Sequence, residues 1–388
     1  MISQQKCVNF NKYLDQCKRK KNMSFWEHHT FFTITNTHFV STHIKPTYTD
    51  WQTQHEVTDD QLAKTIEPTK KATIDFSLNT IADLIQIVEK HPIEEDTAYN
   101  INLKLLHTIK DELSQLNEMV GMQSLKRCVL DQLLYYIQGF HKHTDDYKHT
   151  VISGPPGTGK TEVAKILGNI YSKIGVINKP QSAAAVAETP FKKATRYDLV
   201  AGYLGQTAIK TKTLVNQCLG GVLFIDEAYS FGDDNFSKEC VDTLCESLSD
   251  QKDNLMVIIA GYENELNERF FSLNAGLESR FVWRFKIDNY THAELWQIFK
   301  KKLGKWTVSS DIDGDMWFKK NYNHFSGFGR DVEILLFKVK IAHSRRIYGK
   351  SDLEKCKIEL ADLNNGFETF LKNKKISAPT TFVSSMFL

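Results

Sequence analysis

The chain has 388 residues, of which 41% are hydrophobic and 25% are charged, and its formal net charge is +2. Ordinary domains take about 100–200 residues, so we expect two or three domains and no wholesale disorder. The near-neutral charge excludes an overall basic field for nucleic acid, and no apolar run is long enough to cross a membrane. Seven scattered cysteines without a C-x-x-C pair, and no signal peptide, predict an intracellular, soluble and most simply cytoplasmic protein.

Residues 1–75 are predicted to form an N-terminal region of unknown fold. Only residues 32–40 resemble a strand, and the histidines of this region follow no metal-ligand spacing. The basic run at residues 18–21 is typical of a solvated face, although a nuclear address or an anion patch is the alternative. No catalytic pattern is visible here.

Residues 76–115 are predicted to form a helical adaptor of two amphipathic helices separated by Pro92. Their apolar faces are Leu78, Ile81, Leu84 and Val88 in the first helix, and Ile101, Leu105, Ile109 and Leu113 in the second.

From residue 116 to residue 290 the pattern changes to helices alternating with short, wholly apolar strands. A helix is predicted at residues 123–140, and strands at residues 150–153, 191–194, 221–225, 255–260 and 282–287. Such strands are typical of a parallel sheet covered on both faces, so the predicted fold is a doubly wound α/β core. Residues 291–388 then carry only helical patterns, at 291–302, 315–324, 330–346 and 358–372, which predicts a small all-helical domain.

A phosphate-binding loop follows the first of these strands. The segment reads Gly154, Pro155, Pro156, Gly157, Thr158, Gly159, Lys160, Thr161 and is the Walker A pattern. Its glycines let backbone N–H groups converge on phosphates at a helix N-terminus. Lys160 supplies positive charge, and Thr161 is predicted to bind Mg²⁺. Glu162, the next residue, is also predicted to contact the nucleotide. ATP and Mg²⁺ are therefore the predicted ligands.

Two adjacent carboxylates, Asp226 and Glu227, end the apolar strand at residues 221–225 in a Walker B pattern. A carboxylate at the end of a buried strand is costly unless it is paired or binds a metal ion. Asp226 is predicted to hold Mg²⁺ through water, and Glu227 to act as the general base toward the attacking water. A glutamate here, rather than a neutral residue, favours an active hydrolase.

The loop, the carboxylate pair and the helical tail together resemble AAA+ ATPases. Residues 198–208 (DLVAGYLGQTA) and 220–229 (GGVLFIDEAY) are similar to the CbbX/CfxQ group, which includes red-type Rubisco activase and stage V sporulation protein K. The resemblance covers about residues 116–346, which leaves the first 115 residues to carry the adaptor specificity. A large DNA virus or a mobile element could encode such a chain.

The resemblance implies further nucleotide contacts. Val120 and Gly121, with Met122, match the segment that lines the adenine site. Arg330, which opens a helix of the tail domain, matches the sensor 2 arginine that couples ATP to the lid. The sensor 1 position departs from the wider class, and Asn264 and Tyr262 are both candidates.

The resemblance also implies a pore loop at Tyr203, Leu204 and Gly205, with which such rings grip a polypeptide. An exposed tyrosine beside a flexible glycine suits contact with extended chains of any sequence. An ordinary buried loop aromatic is the alternative.

Arg280 matches the arginine finger that completes the active site of a neighbouring subunit. Arginine suits this role because its planar, permanently charged fork can engage γ-phosphate oxygens. A surface salt bridge is the alternative, and Arg269 and Arg284 are nearby competitors.

The main functional hypothesis is an ATP-hydrolysing, chaperone-like homo-oligomeric ring, a hexamer, that remodels or unfolds a protein through its central pore. Its partners are further copies of itself and a protein client, with no membrane and with nucleic acid not favoured. A nucleic-acid motor or loader and a nucleotide-gated assembly scaffold are the alternatives. Rubisco activation does not follow, because these motifs belong to the ATPase and not to substrate choice.

Overall fold

The computed structural model describes residues 70–377 apart from residues 95, 143, 145, 179–190, 204 and 351–354. The basic run at 18–21, the histidines and the predicted strand at 32–40 lie outside the described residues. The strands are β1 Lys70–Ala72, β2 Thr97–Tyr99, β3 Thr150–Ser153, β4 Phe191–Ala194, β5 Val222–Ile225, β6 Met256–Gly261, β7 Trp283–Lys286, β8 Thr307–Val308 and β9 Lys357–Ile358. The helices are α1 Ile81–Lys90, α2 Leu103–Thr108, α3 Lys110–Glu118, α4 Gln123–Ile137, α5 Lys160–Lys173, α6 Arg196–Leu199, α7 Gln206–Gln217, α8 Asn235–Asp250, α9 Glu263–Glu265, α10 Leu277–Arg280, α11 His292–Lys302, α12 Gly314–Asn321, α13 Phe328–Ile347 and α14 Leu360–Ser377.

The central sheet has five parallel strands in the order β4-β5-β6-β3-β7. Successive side chains of a strand point to opposite faces. In β5, Val222 and Phe224 therefore join one apolar cluster, while Leu223 and Ile225 join another on the opposite face. Helices cover both faces, so the predicted doubly wound α/β fold is confirmed.

The parallel arrangement brings the carboxyl ends of β3, β4, β5 and β6 to one edge of the sheet, where ligands bind in folds of this kind. The backbone N–H of Gly154, just after β3, donates to the carbonyl oxygen of Gly261 at the end of β6 over 3.2 Å. The N–H of Asp226, just after β5, donates to the carbonyl of Ala194 in β4 over 3.0 Å. The Walker A and Walker B segments therefore meet at this edge.

The predicted second adaptor helix is confirmed only in part: two short helices, α2 and α3, take its place, and of its predicted apolar face Ile109 and Leu113 are buried. The Asn102 side chain caps α2 by accepting from the Leu105 N–H over 3.0 Å. The helix therefore begins after Ile101, the first residue of the predicted face, and it buries Leu103 and Leu106 in place of Ile101 and Leu105. The adaptor is also not purely helical, since β2 pairs in parallel with β1.

The first adaptor helix is confirmed as α1. A capping box formed by Thr80 and Asp83 begins it, so Leu78 lies before the helix and only packs beside its core. Apolar residues of α1, α3, α5 and the C-terminal helices belong to one continuous cluster. The domain boundaries at residues 75, 115 and 290 stay a prediction.

The C-terminal region, which we call the lid, is helical as predicted, apart from the parallel two-residue pair of β8 and β9. That pair is too short to leave a periodic signal in the sequence. The buried His343 and Asp362 join α13 to α14, with 2.9 Å between the imidazole Nδ1 and a carboxylate oxygen. Arg346 donates to the same carboxylate over 2.8 Å from its Nε.

Within the described part of the chain, no helix is both long and apolar enough to cross a membrane.

Candidate nucleotide-binding and hydrolysis site

The Walker A loop connects β3 to α5 with a conformation that depends on glycine. Gly157 and Gly159 have φ values of 69° and 86°, in the left-handed region that favours glycine. The Thr158 hydroxyl closes the loop by donating to the Pro155 carbonyl over 2.8 Å. Helix α5 has no side-chain cap at its N-terminus. Its first N–H groups therefore point toward the space in front of the loop, where an anion is favoured.

Lys160 reaches back over this loop. Its Nζ donates to the carbonyls of Gly154 and Pro155 over 2.8 and 2.7 Å, and lies 5.1 Å from the centroid of the Tyr262 ring. Burial lowers the pKa of the Lys160 ammonium to about 8; Asp226 opposes this shift and Arg330 adds to it. A polyanion placed before the loop would favour the charged form of this lysine.

We expect nucleotide binding to take up protons near pH 8 because of Lys160. Half of the free protein would carry a neutral lysine at that pH, and bound phosphates would recharge it, so the uptake should be about half a proton per site. ADP affinity should fall as the pH rises from 7 to 9. Calorimetry in buffers of different ionisation enthalpy measures the uptake directly. The variant Lys160→Arg stays charged throughout and should lose it; equal uptake in both proteins would contradict the assignment.

Asp226 and Glu227 lie opposite the Walker A loop. The Asp226 carboxylate is half-buried, and its Oδ2 accepts from the Thr161 hydroxyl over 3.1 Å and from Lys193 Nζ over 2.6 Å. Glu227 is exposed and has φ of 51°, which turns the chain away from the sheet directly after Asp226. Magnesium prefers hard oxygen ligands together with substrate phosphates. Thr161 and Asp226 fit that preference, and the Lys193 ammonium shows that a cation is favoured beside this carboxylate.

Two cavities adjoin at the Walker A loop. The larger, of about 660 Å³, falls in the size range of small-ligand sites and has apolar walls that include Val120, Ile166 and Ile298. The smaller, of about 140 Å³, lies over the loop and is bounded by Glu227 and Tyr262. The residues that line both cavities are Gly157, Thr158, Gly159 and Arg330. A larger chamber with apolar walls and a smaller chamber over the phosphate-binding loop therefore share the Walker A loop.

Most of the predicted site residues line these cavities. They are Val120, Pro156, Gly157, Thr158, Gly159, Lys160, Thr161, Glu162, Asp226, Glu227, Tyr262 and Arg330. Gly121, Gly154, Pro155 and Asn264 line neither cavity.

These other residues have structural surroundings of their own. A Cβ on Gly121 would lie 2.5 Å from a carboxylate oxygen of Glu294, and one on Gly154 would lie 2.8 Å from the Ile287 carbonyl. Asn264 is exposed in α9. Of the two sensor 1 candidates, the structure therefore places only Tyr262 at the loop, where it stacks on Tyr229 with 4.9 Å between ring centroids.

The lid touches the Walker A loop backbone to backbone. The N–H of Gly329 donates to the Gly157 carbonyl over 3.1 Å. A Cβ on Gly157 would lie 2.0 Å from the Gly327 carbonyl oxygen, so nothing larger than glycine fits. Asp331 fixes this turn by accepting from the Gly327 N–H and from Lys374 Nζ, over 2.8 and 2.7 Å. Helix α13 therefore begins against the loop and brings Arg330 into both cavities.

Arg280 lines neither cavity. Its Nε donates to the Ser249 hydroxyl over 2.8 Å, and its guanidinium lies 5.7 Å from the centroid of the Tyr147 ring. It forms no ion pair with a carboxylate of the described residues, whereas the competitor Arg284 pairs with Glu278 over 3.1 Å. The salt-bridge alternative therefore fits Arg284 better than Arg280. Arg269 is exposed in the π-helical turn Leu266–Phe270.

Tyr203 is 74% exposed, which removes the alternative of a buried loop aromatic. Gly205 follows with φ of 80° and begins α7, with no atom within 4 Å of the position of a Cβ. Leu204 lies outside the described residues.

The comparisons with known proteins agree with this site. A model of the family described as ATPase family associated with various cellular activities (AAA) matches residues 150–288. The chain is 38% identical over 293 residues to a cfxQ-like protein of Acanthamoeba polyphaga mimivirus, covering 73% of this chain and 70% of that protein.

Two further relatives are more partial. Stage V sporulation protein K of Bacillus subtilis (strain 168) is 32% identical over 223 residues, which are 55% of this chain and 66% of that protein. The ESX-1 secretion system protein EccA1 of Mycobacterium tuberculosis (strain ATCC 25618 / H37Rv) is 43% identical over 157 residues, 39% of this chain and 26% of EccA1.

The predicted resemblance is thus confirmed, including the likeness to a protein of a large DNA virus. The chain belongs to the CfxQ-like group of AAA ATPases, enzymes that hydrolyse ATP with Mg²⁺.

Proposed function

We propose that this chain forms a homo-oligomeric ring, a hexamer, that uses ATP hydrolysis to remodel or unfold a protein client through a central pore in a chaperone-like manner. The observation that carries this proposal is the exposed Tyr203 before Gly205, on the segment that joins α6 to α7. An exposed aromatic ring can grip many different polypeptide sequences. Residues 116–290 would be the ATPase core, residues 291–388 its lid, and residues 1–115 the part that selects the client.

Five residues of the two cavities would have roles in hydrolysis. The apolar chamber beside Val120 would hold the base, and the α5 N-terminus with Lys160 would bind the phosphates. Thr161 and Asp226 would hold Mg²⁺, which neutralises charge on the β- and γ-phosphates. Glu227, which faces the same small cavity, would accept a proton from the attacking water.

Two residues would report the nucleotide state. Arg330 starts in the lid and reaches the phosphate cavity, so it would couple the bound nucleotide to the lid position. Tyr262 is the better sensor 1 candidate, because its ring faces both the phosphate cavity and Lys160.

The position of Arg280 supports assembly into a ring. Arg280 lines neither cavity of its own chain and has no acidic partner among the described residues. An arginine held this way suits a neighbour's γ-phosphate, where such a residue contributes strongly to the rate. The site of a single chain would then lack one catalytic group.

Replacing Tyr203 with alanine tests the pore. We expect basal ATP turnover to stay near that of the unmodified protein, while stimulation by an unfolded polypeptide falls about fivefold or more, because a central aromatic anchor is lost. The measurement is the steady-state ATPase rate with and without permanently unfolded casein.

The matched control is Tyr197→Ala, since Tyr197 is also exposed, at 83%, but lies in α6 before the loop. Equal losses in the two variants would contradict a specific role for Tyr203. Stimulation by single-stranded DNA in place of casein would favour a nucleic-acid motor.

A further inference from the structure

Lys193 lies against the proposed metal ligand although none of the motifs includes it. Its Nζ is 2.6 Å from Asp226 Oδ2, the same oxygen that accepts from the Thr161 hydroxyl. The other oxygen, Oδ1, accepts from the Glu227 N–H over 3.1 Å. A charge-assisted contact of this length is a strong one. Lys193 thus holds Asp226 at the point where Thr161 and Asp226 converge.

No other lysine or arginine of the described residues forms an ion pair with this carboxylate. Lys160, the nearest candidate, is instead bound to the carbonyls of Gly154 and Pro155. Without Lys193, neither the Asp226 nor the Glu227 carboxylate would have an ion-pair partner among the described residues.

The position of Lys193 at the surface also allows its ammonium group to move away from Asp226. It belongs to β4, an edge strand of the central sheet, and its side chain is 48% exposed while that of Asp226 is 16% exposed. Cross-strand pairing with Phe224 places the lysine stem along that ring, 5.9 Å from Nζ to the ring centroid. The ammonium can therefore move into solvent when another cation takes the carboxylate.

We propose that Lys193 is an internal counterion that competes with Mg²⁺ for Asp226. In the nucleotide-free protein the ammonium neutralises the carboxylate and holds it beside Thr161. Mg²⁺ arriving with the nucleotide phosphates replaces the ammonium, and the ammonium returns when Mg²⁺ and ADP leave. Lys193 is thus a positioning residue that weakens Mg²⁺-dependent nucleotide retention. This inference rests on the proposed metal site formed by Thr161 and Asp226.

The experiment is ADP binding to the full chain, followed with a fluorescent ADP analogue in Mg²⁺ and in EDTA. The quantity of interest is the affinity for the ADP analogue in Mg²⁺ divided by its affinity in EDTA. Because a partly exposed ion pair contributes modestly, Lys193→Met should raise this ratio about two- to fivefold, with slower release of ADP in Mg²⁺. Binding in EDTA should change little.

Two variants serve as controls. Lys193→Arg keeps the charge and should keep the ratio of the unmodified protein. Lys192→Met removes the neighbouring charge, whose Nζ bonds instead to Gln217 over 2.6 Å, and should also leave the ratio unchanged. A ratio in Lys193→Met that stays the same or falls would overturn the proposal.

The test separates this inference from the site on which it depends. If Mg²⁺ strengthens ADP binding, and Asp226→Asn removes that effect while Lys193→Met changes nothing, then only the role of Lys193 fails. If Asp226→Asn leaves the effect of Mg²⁺ intact, the proposed metal site itself fails. Neither result depends on a ring or a client, since binding is measured without turnover.

Discussion

Replacing Glu227 with glutamine should lower ATP turnover by a factor of about 10²–10⁴ while ATP binding stays intact. An amide has the size of the carboxylate but cannot accept a proton from water. The Glu227 carboxylate forms no hydrogen bond with another described side chain, and the residue is exposed, so we expect no loss of folding stability. Phosphate release measures the turnover, and a fluorescent ATP analogue measures the binding.

Glu263→Gln is the matched control for this variant. Glu263 is also an exposed carboxylate just beyond a core strand, but it pairs with Lys286 over 2.6 Å, away from the phosphate cavity. It should keep full turnover. If Glu227→Gln retained more than about a tenth of the activity, the general base would have to be another group.

Replacing Arg280 with alanine should lower turnover by a factor of about 10³–10⁵ if it completes a neighbour's site. Nucleotide affinity should hardly change, because Arg280 lines neither cavity of its own chain. The decisive measurement mixes the Arg280→Ala and Glu227→Gln proteins. Each should be inactive alone, but a mixed ring would contain sites with Glu227 from one subunit and Arg280 from the next. Activity should therefore reappear on mixing.

Arg284→Ala is the control for this experiment, since Arg284 is bound to Glu278 on the surface of the same segment. Full turnover in the Arg280→Ala protein would exclude it as the finger. Mixed rings that form, as shown by sedimentation, yet stay inactive would exclude action between subunits.

The ATPase core could be predicted closely from the sequence. Strands β3 and β4 have the predicted ends. Strand β5 begins one residue later than predicted, and β6 and β7 each differ from the prediction by one residue at both ends. Short apolar runs followed by glycine or by charged residues leave little choice of ends when both faces of a sheet are buried. The Walker A and Walker B residues lie close together because the ends of parallel strands share one edge.

The sequence predicts the structure of the adaptor less closely, because the adaptor helices are short. Helix α2 has six residues, and the cap supplied by Asn102, more than apolar periodicity, decides where it begins. Leu103 and Leu106 are buried in consequence, which moves the buried face away from Leu105. An apolar pattern over so few residues is compatible with more than one choice of buried helix face.

Within the site, the motifs identified Arg330 and most of the residues that line the two cavities, but some positions depend on packing that the motifs do not show. Gly121 stands beside Val120 in the motif, yet it packs against Glu294. The choice between Tyr262 and Asn264 depends on where β6 ends, and β6 ends at Gly261. Lys193 depends on the pairing of β4 with β5, which only the sheet order gives.

The contact of Gly157 with Gly327 and Gly329 has a mechanical consequence. Two stretches of backbone meet there without an intervening side chain, so no rotamer change can absorb a displacement of either one. Covalent geometry makes peptide units stiff. A shift of the loop around phosphate would therefore act directly on the start of the 20-residue helix α13. A small rotation of α13 about its first residues would displace the far end of this long helix much more than its start.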